Sequence, residues 1–460
     1  MNKTSAPLAL ATLLALSGCA NFAPVYSRPE AAIPRIMEGA HSDAATLEWA
    51  SFFGNLRLRD AVHLALQNNR DLRIAALNVE LSRASFKSTD ASRLPTVGAT
   101  AGVTNTQLGT THSLQLALSS YEIDLFGRVK NLSESAQQAL FASDETRRST
   151  QISLVAEVAL AWLNWAADLE RQRLAQETLD SRIQTFDLIR RQYNLGATTG
   201  LALAQAASTR DSAQVDLSGY PAAIAQDRNA LELLLGAALP EALAPQAEDA
   251  AAASPVSALV EVPSGVPSAV LLNRPDVLSA EHNLIAANAN IGAARAALFP
   301  TISLTGSSGF SSSALSDLFA AGNGVWSLAP TISVPVFDAG AGQANVRSAE
   351  VSRDIALAKY EKTLQTAFSE VANALAIRST LAERLQAQKA LLASTSRELE
   401  LAQIKWRLGS TTLLDVLDAQ RALYAAQQSL IALQLTEQSN RINLYKTLGG
   451  GWKNTPSASL

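Results

Sequence analysis

The residues whose side chains most often do chemistry are few and far apart in this sequence. One cysteine, Cys19, cannot build a disulfide or a thiolate metal site. The histidines are scattered, and no two have the spacing of metal ligands: His41, His63, His112 and His282. We therefore predict no metal site and no bound cofactor.

Glycine-rich motifs that bind phosphates are also missing. No G-x-x-x-x-G-K-[ST] phosphate loop occurs. Gly340-Ala341-Gly342 begins like a dinucleotide fingerprint, but Asn345 stands where the third glycine is needed. We interpret this segment as a turn from a strand into a helix, where φ is unusual. A formal net charge of −4 gives no basic surface for nucleic acid. The sequence predicts that the protein is not an enzyme and binds no nucleic acid.

Two aspartates, Asp415 and Asp418, are the best candidates for a functional charge. They follow the turn at Gly409, and a spacing of three places both on one face of a helix. If several copies of the chain surround an axis, two stacked acidic rings result. A solvated acidic stretch at the start of a helix is the alternative. The first half of the chain has Ala202 and Gln205 at the equivalent positions, so only the second half supplies this pair.

The amino terminus has the features of a secretory signal. Lys3 precedes an apolar run at 8–16 and small residues before Cys19. This pattern resembles the bacterial lipoprotein signal, which predicts a signal peptide at 1–18 and a covalent lipid on Cys19. An ordinary signal peptide is the alternative. Ala20, in place of an aspartate, favours delivery to the outer membrane. No later run reaches the roughly 18 apolar residues of a transmembrane helix.

The positions of glycine and proline indicate a tandem duplication. Neither residue occurs at 128–195 or at 343–408, and these runs end in the similar phrases YNLGATT and WRLGSTT. Internal repeats of this kind mean that one structural unit occurs twice. We therefore divide the chain into a signal peptide at 1–18, a lipidated segment at 19–56, a first repeat at 57–236, an inter-repeat linker at 237–268, a second repeat at 269–449 and a tail at 450–460.

The glycine-free runs have a helical apolar pattern. Apolar residues recur every three or four positions, and good helix formers dominate. Helices of this length usually coil against neighbours. Each repeat is predicted to hold a helix of 66–68 residues, a tight turn at Gly196 or Gly409, and a returning helix of about 35 residues. Gly219-Tyr220-Pro221 should kink or break the first returning helix.

Alternating apolar residues predict β-hairpins at about 95–126 and about 300–337. No charged residue occurs from 95 to 121, and Asp317 is the only one from 299 to 337. Period-two runs joined by polar loops are typical of transmembrane strands, with a soluble hairpin subdomain as the alternative. Four strands cannot close a barrel. Because open sheet edges are not tolerated in hydrocarbon, several chains must share one barrel.

Three motifs give a specific resemblance to a known family: 121–129 (YEIDLFGRV), 273–277 (NRPDV) and 414–421 (LDVLDAQR). With these motifs the mature chain resembles, over nearly its whole length, the TolC-like outer-membrane channels of efflux and type I secretion systems. The lipidated, OprM-like branch fits best. The resemblance implies an α+β membrane protein, a homotrimer with a twelve-stranded outer-membrane β-barrel and a periplasmic α-helical barrel of coiled-coil hairpins. The residues at 19–56, the linker and the carboxy terminus would form an equatorial belt.

The resemblance also implies a function. The protein would be the passive outer-membrane channel of a tripartite efflux system, conducting drugs or other toxic small molecules. A periplasmic adaptor would open it, and an inner-membrane pump of the resistance-nodulation-division type would feed it. A duct for type I protein secretion is the alternative within this class. A non-conducting, lipid-anchored coiled-coil scaffold is the alternative outside it.

Individual site residues follow from the same resemblance. In the resembling channels, aspartates at the positions of Asp415 and Asp418 line the periplasmic constriction. A tyrosine and an arginine often tie the closed tip, and Trp406 and Thr411 replace them here. Arg407 and Arg421 are nearby substitutes. The adaptor would dock at the hairpin tips, at Gly196 and Gly409.

Overall fold

The computed structural model describes residues 21–30, 49–251 and 268–450. These residues form two compact units, each built from both repeats. The first unit includes 75–147 and 276–364, and the second includes 148–275 and the chain from 365 onward. Cys19, the signal peptide at 1–18 and most of the tail at 450–460 lie outside the described residues.

Nine α-helices occur in the described residues. We number them α1 Trp49–Phe52, α2 Leu56–Asn68, α3 Arg70–Ala91, α4 Arg128–Asn194, α5 Gly200–Leu235, α6 Ala247–Ala251, α7 Pro275–Ala296, α8 Ala341–Arg407 and α9 Leu413–Thr447. Short 3-10 helices lie at Glu241–Leu243, Ser268–Asn273 and Leu315–Asp317.

The predicted long hairpins are confirmed. Helices α4 and α8 have 67 residues each, and the returning helices α5 and α9 have 36 and 35. A helix of 67 residues is about 100 Å long. Among the described helices, only α4 contains a stretch long and apolar enough to cross a membrane, and 61% of that stretch is buried inside the protein.

The sequence predicted a kink or a break in the first returning helix, and the break is wrong. Helix α5 runs from Gly200 to Leu235 with Pro221 inside it. A proline removes one backbone hydrogen bond, and this loss is local. The side chain of Ser218 donates to the carbonyl of Val215 at 2.7 Å just before the proline. Buried Ala213 and Leu231 anchor the helix on either side of the weak point. Tertiary packing therefore outweighs the local signal.

The four predicted strands form one antiparallel sheet in the order β1-β2-β3-β4. Strand β1 spans Val97–Thr106, β2 Gly109–Ile123, β3 Thr301–Ser312 and β4 Gly324–Ser333. Each repeat supplies one hairpin, and β2 pairs with β3 across the two repeats. The sheet thus joins the repeats through backbone hydrogen bonds.

One side of the sheet is apolar and the other is small and polar. Residues opposite each other in a ladder point to the same side. Leu116 is opposite Ala99 and Ser308, while Ala117 is opposite Ser307. The apolar side includes Val97, Ala99, Val103, Leu114, Leu116, Leu118, Ile302, Leu304, Phe310, Trp326, Leu328 and Ile332.

A β-bulge keeps this pattern consistent along β2. The register shifts between Leu118 and Tyr121, and Ser120 has a φ of 34°. The extra residue returns Tyr121 and Ile123 to the apolar side, opposite Leu304 and Ile302. Without the bulge, the register would place Glu122 on the apolar side.

The turns from sheet to long helix are built alike in both repeats. The backbone N–H of Lys130 donates to Asp124 Oδ2 at 2.7 Å. Asp338 accepts from the backbone N–H groups of Gly340 and Gly342 at 2.9 and 2.7 Å. These two hydrogen bonds lower the pKa of the Asp338 carboxyl. Gly340 has a φ of 89°, which confirms that its motif is a turn.

Candidate functional site

The two hairpin tips have the same backbone structure. Gly196 and Gly409 adopt left-handed conformations, with φ of 73° and 71°. The next backbone N–H donates back across the helix end, from Ala197 to the carbonyl of Gln192 at 2.8 Å and from Ser410 to Lys405 at 2.9 Å. This is a Schellman motif, which favours glycine because other residues are strained there.

A threonine starts the returning helix after each tip. Thr199 accepts from the backbone N–H of Ala202 at 3.2 Å, and Thr412 accepts from that of Asp415 at 3.4 Å. Thr–Thr in both YNLGATT and WRLGSTT is therefore a helix-capping signal. The apolar side chains next to the two tip glycines project into solvent: Leu195 is 84% exposed and Leu408 is 77% exposed.

The carboxylate of Asp415 accepts hydrogen bonds from the residues that begin its own helix. Its Oδ2 accepts from the backbone N–H of Thr412 at 2.9 Å and from the hydroxyl of Thr411 at 2.5 Å, which completes a capping box. These bonds, chiefly those from the Thr411 and Thr412 hydroxyls, lower the pKa of Asp415 to about 2. Its carboxylate therefore stays ionised in all but strong acid.

Asp418 lies one turn further along α9 and has a different partner. It forms a salt bridge with Arg421, and both side chains are more than half exposed. The opposite side of this helix is buried through Leu413, Val416 and Leu417. The structure therefore places Asp415 and Asp418 together on the exposed side of α9, with Arg421 beside them.

Trp406 and Arg407, at the end of α8, have different contacts. Trp406 packs against a small core of Ile189, Ala206, Leu413 and Leu417, which joins the hairpins of both repeats. Arg407 donates from Nε to the carbonyl of Gln403 at 3.3 Å, within its own helix.

Two polar groups with shifted pKa values have no sequence signal: Arg182 of α4, which is buried, and Asp227 of α5, which is half-buried. Arg182 is only 5% exposed, and its neighbours include Arg421 and Tyr424. Burial and the like charge of Arg421 lower the pKa of Arg182. Further along, burial and Asp168 raise the pKa of Asp227 to about 6. In the sequence both residues look like ordinary polar positions of a long helix.

The segment at 21–30 is a second feature that sequence reasoning missed; we call it the strap. The Phe22 ring stacks on Phe299 with centroids 4.5 Å apart and lies 6.1 Å from the Phe126 ring. These two rings follow the first hairpin and precede the second. A Cβ at Gly292 would lie 2.7 Å from the backbone nitrogen of Ala23, so only glycine admits the strap here.

Polar contacts hold the rest of the strap to α7. Asn288 donates to the carbonyl of Pro24 at 2.7 Å. Arg28 forms a two-pronged salt bridge with Glu281, with Nε at 2.7 Å from Oε1. The hydroxyl of Tyr26 donates to the same carboxylate at 3.0 Å. Burial and Glu281 raise the pKa of Tyr26 above its usual range.

The arrangement defines a class of protein. A duplicated chain with long helical hairpins and a one-sided apolar sheet is built as a membrane channel subunit. Among the described residues, no group of three or more His, Cys, Asp or Glu side chains could hold a metal ion.

The comparisons give the family. The sequence profile of the outer membrane efflux protein family matches residues 61–237 and 266–450. The toluene efflux pump outer membrane protein TtgC of Pseudomonas putida is 42% identical over 473 residues, covering 98% of this chain and 96% of TtgC. The cation efflux system protein CusC of Escherichia coli is 40% identical, covering 96% and 97%. This chain belongs to the outer membrane efflux protein family.

Solved structures agree with this result. The open-state MtrE outer membrane channel of Neisseria gonorrhoeae superposes with a TM-score of 0.85 at 35% identity, covering 95% of this chain and all of MtrE. The protein is therefore the outer-membrane channel component of an efflux system and not an enzyme, as predicted.

Proposed function

We propose that three copies of this chain form one channel that carries small toxic molecules from an inner-membrane pump to the outside. The sheets of the three copies close a barrel in the outer membrane, and the long hairpins extend into the periplasm. A periplasmic adaptor and a pump of the resistance-nodulation-division type complete the system. The lipid on Cys19 adds a membrane anchor.

The one-sided apolar sheet is the observation that carries this proposal. In the part of the chain that the structure describes, its edge strands β1 and β4 are each paired on one side only. A sheet edge in hydrocarbon must be paired, and pairing with other copies meets this need. TtgC and CusC are described by their names as toluene and cation efflux proteins. Relatives with such different cargo support a duct that selects weakly, with the choice made by the pump.

The gate of the channel lies at the hairpin tips in this proposal. Three copies bring three Asp415 and three Asp418 side chains around the axis. Because Asp418 is bridged by Arg421, the arginine reduces the net charge of its ring. Asp415 contributes the less compensated charge. Adaptor binding at the exposed tips, beside Gly196 and Gly409, shifts these helices and opens the constriction.

Two experiments test the proposed function. Purified protein in planar bilayers should give discrete single-channel currents, and chemical cross-linking in detergent should stop at trimers. Deleting the gene should lower resistance to organic toxicants, and the cloned gene should restore it. A protein that never conducts is a scaffold. A channel whose loss leaves resistance unchanged but abolishes export of a protein belongs to type I secretion.

A further inference from the structure

The apolar side of the sheet has a hollow of about 760 Å³. Residues of all four strands line it, and the argument depends on Leu114, Leu116, Ser308, Phe310, Gly324 and Trp326. Leucine and aromatic side chains form its walls, so the hollow suits an apolar occupant.

The register explains the shape of the hollow. Leu116, Ser308 and Trp326 lie in one row across β2, β3 and β4. In the next row Leu114 and Phe310 stand beside Gly324. On β1 the two rows continue with Ala99 and Ala101. Each row therefore has two small residues beside large ones, and these small residues leave a depression between raised side chains. If side chains of the same types formed a level surface, they would not enclose a hollow.

The hollow lies near one end of β3 and β4, crosses the middle of β2 and reaches Ala99, the third residue of β1. Helices α3, α4, α7 and α8 all join the sheet at its other end, before β1 and β3 and after β2 and β4. The remaining end has a tight turn at 107–108 and a loop at 313–323. Gly324 begins β4 at this end, and Trp326 is only two residues further. With the helices in the periplasm, this end faces the outer leaflet of the membrane.

We propose that this hollow binds an acyl chain of an outer-leaflet lipid. The proposal rests on the function proposed above, because only membrane insertion gives this side of the sheet a hydrocarbon environment. The hollow is continuous with the apolar surface that meets the membrane, and no charged side chain lines it. The lipid of Cys19 is a poor occupant, since the strap holds Phe22 at the opposite end of the sheet, beside Phe126 and Phe299.

The amount of lipid that the purified trimers retain tests whether the hollow is a binding site. Purified trimers are reconstituted with lipid A, returned to detergent and analysed by native mass spectrometry. The unmodified protein should keep one lipid A per subunit. Ser308→Phe fills the floor of the hollow with an apolar group and should reduce retention at least fivefold. Leu304→Phe, on the same strand and side but nearer the helices, should retain lipid normally.

The controls separate the possible failures. Gly324→Val is a second filling variant, because a Cβ at this position meets no atom within 4 Å. Equal retention by both filling variants and the unmodified protein contradicts the site. Loss of lipid in Cys19→Ser would assign the retained lipid to the anchor instead. A trimer that conducts but keeps no lipid contradicts the site alone, whereas protein that never conducts contradicts the proposed function itself.

Discussion

Asp415 and Asp418 are three residues apart, yet their carboxylates have different roles. Asp415 completes a capping box with Thr412, and Asp418 pairs with Arg421. The alternative interpretation of this pair, an acidic helix start, therefore describes part of what Asp415 does. Both side chains remain on the exposed side of α9, where three copies can bring them to a common axis.

Neutralising these two charges separately should give distinct effects. Asp415→Asn should weaken cation selectivity and block by trivalent cations, and should also lower the melting temperature because the capping box is lost. Asp418→Asn should leave the positive charge of Arg421 uncompensated, so selectivity should also fall, but with little change in stability. Single-channel recordings with cation titration measure this. Asp211→Asn, on the exposed side of α5, is the control. Unchanged selectivity in both variants would mean that these aspartates do not line the pore.

The pH dependence of the gate follows from the pKa of Asp415. A carboxyl with a lowered pKa contributes stability that is present above its unfolded value near 3.8 and is lost as the pH falls through about 2. The charge of Asp415 should therefore persist to about pH 3. Cation selectivity in planar bilayers should survive acidification from pH 7 to pH 4. Loss of selectivity between pH 5 and 4 would assign the selectivity to other carboxylates.

Among the single elements, helix α5 owes its continuity to packing against its neighbours more than to the helix propensity of its own residues. The helix continues through Pro221 and carries Asp227 near Asp168 of α4. Arg171 is 2.6 Å from Asp168 and compensates only part of this negative charge. The packing of the hairpin thus forces two carboxylates together.

The Asp168 and Asp227 carboxyls predict that the stability of the protein falls as the pH rises, which is opposite to the usual effect of a carboxyl group. The pKa of Asp227 is raised to about 6, so its stabilising proton is present at low pH and is lost as the pH rises through 6. Asp227→Asn should raise the melting temperature by a few degrees at pH 7.5 and change it little at pH 4.5. Thermal denaturation at both values checks this, with Asp216→Asn as the control. Equal shifts at both pH values would show that the charge is not responsible.

The sheet gives a second test at this scale. Leu116→Arg places a charge on the apolar side and should cost about 2–4 kcal/mol per subunit if that side meets lipid. Ala117→Arg, on the opposite side, should assemble and alter conductance instead. Yield of trimers in the outer-membrane fraction measures both. Equal tolerance would mean that the sheet is not in a membrane.

At the scale of the whole molecule, the chain is held together by contacts between the repeats. Strand β2 pairs with β3, and Phe22 stacks beside residues that flank the two hairpins. Glu281 is buried and accepts from both Arg28 and Tyr26 of the strap. The strap thus links the chain just after the predicted lipid anchor to both repeats.

Removing the charge of Glu281 tests this role. Glu281→Gln should destabilise the protein by about 1–3 kcal/mol, because a charge-assisted pair is lost at a buried position. The strap should also become more sensitive to proteolysis near Arg28. Glu80→Gln, in an exposed pair with Arg83, is the control and should change neither measurement. Protection of the strap in Glu281→Gln would show that the aromatic stack alone is sufficient.

The sequence alone determined the duplication, the long hairpins, the four strands and the tip turns, because each depends on local signals. Gly196 and Gly409 mark left-handed helix ends, and apolar alternation marks the strands. Only the tertiary structure decided the rest. Pro221 is overridden by packing, the bulge at Ser120 depends on the facing strand, and Arg28 meets Glu281 across 253 residues. Contacts between residues so distant in the chain leave no periodic pattern in the sequence, so only the folded structure reveals them.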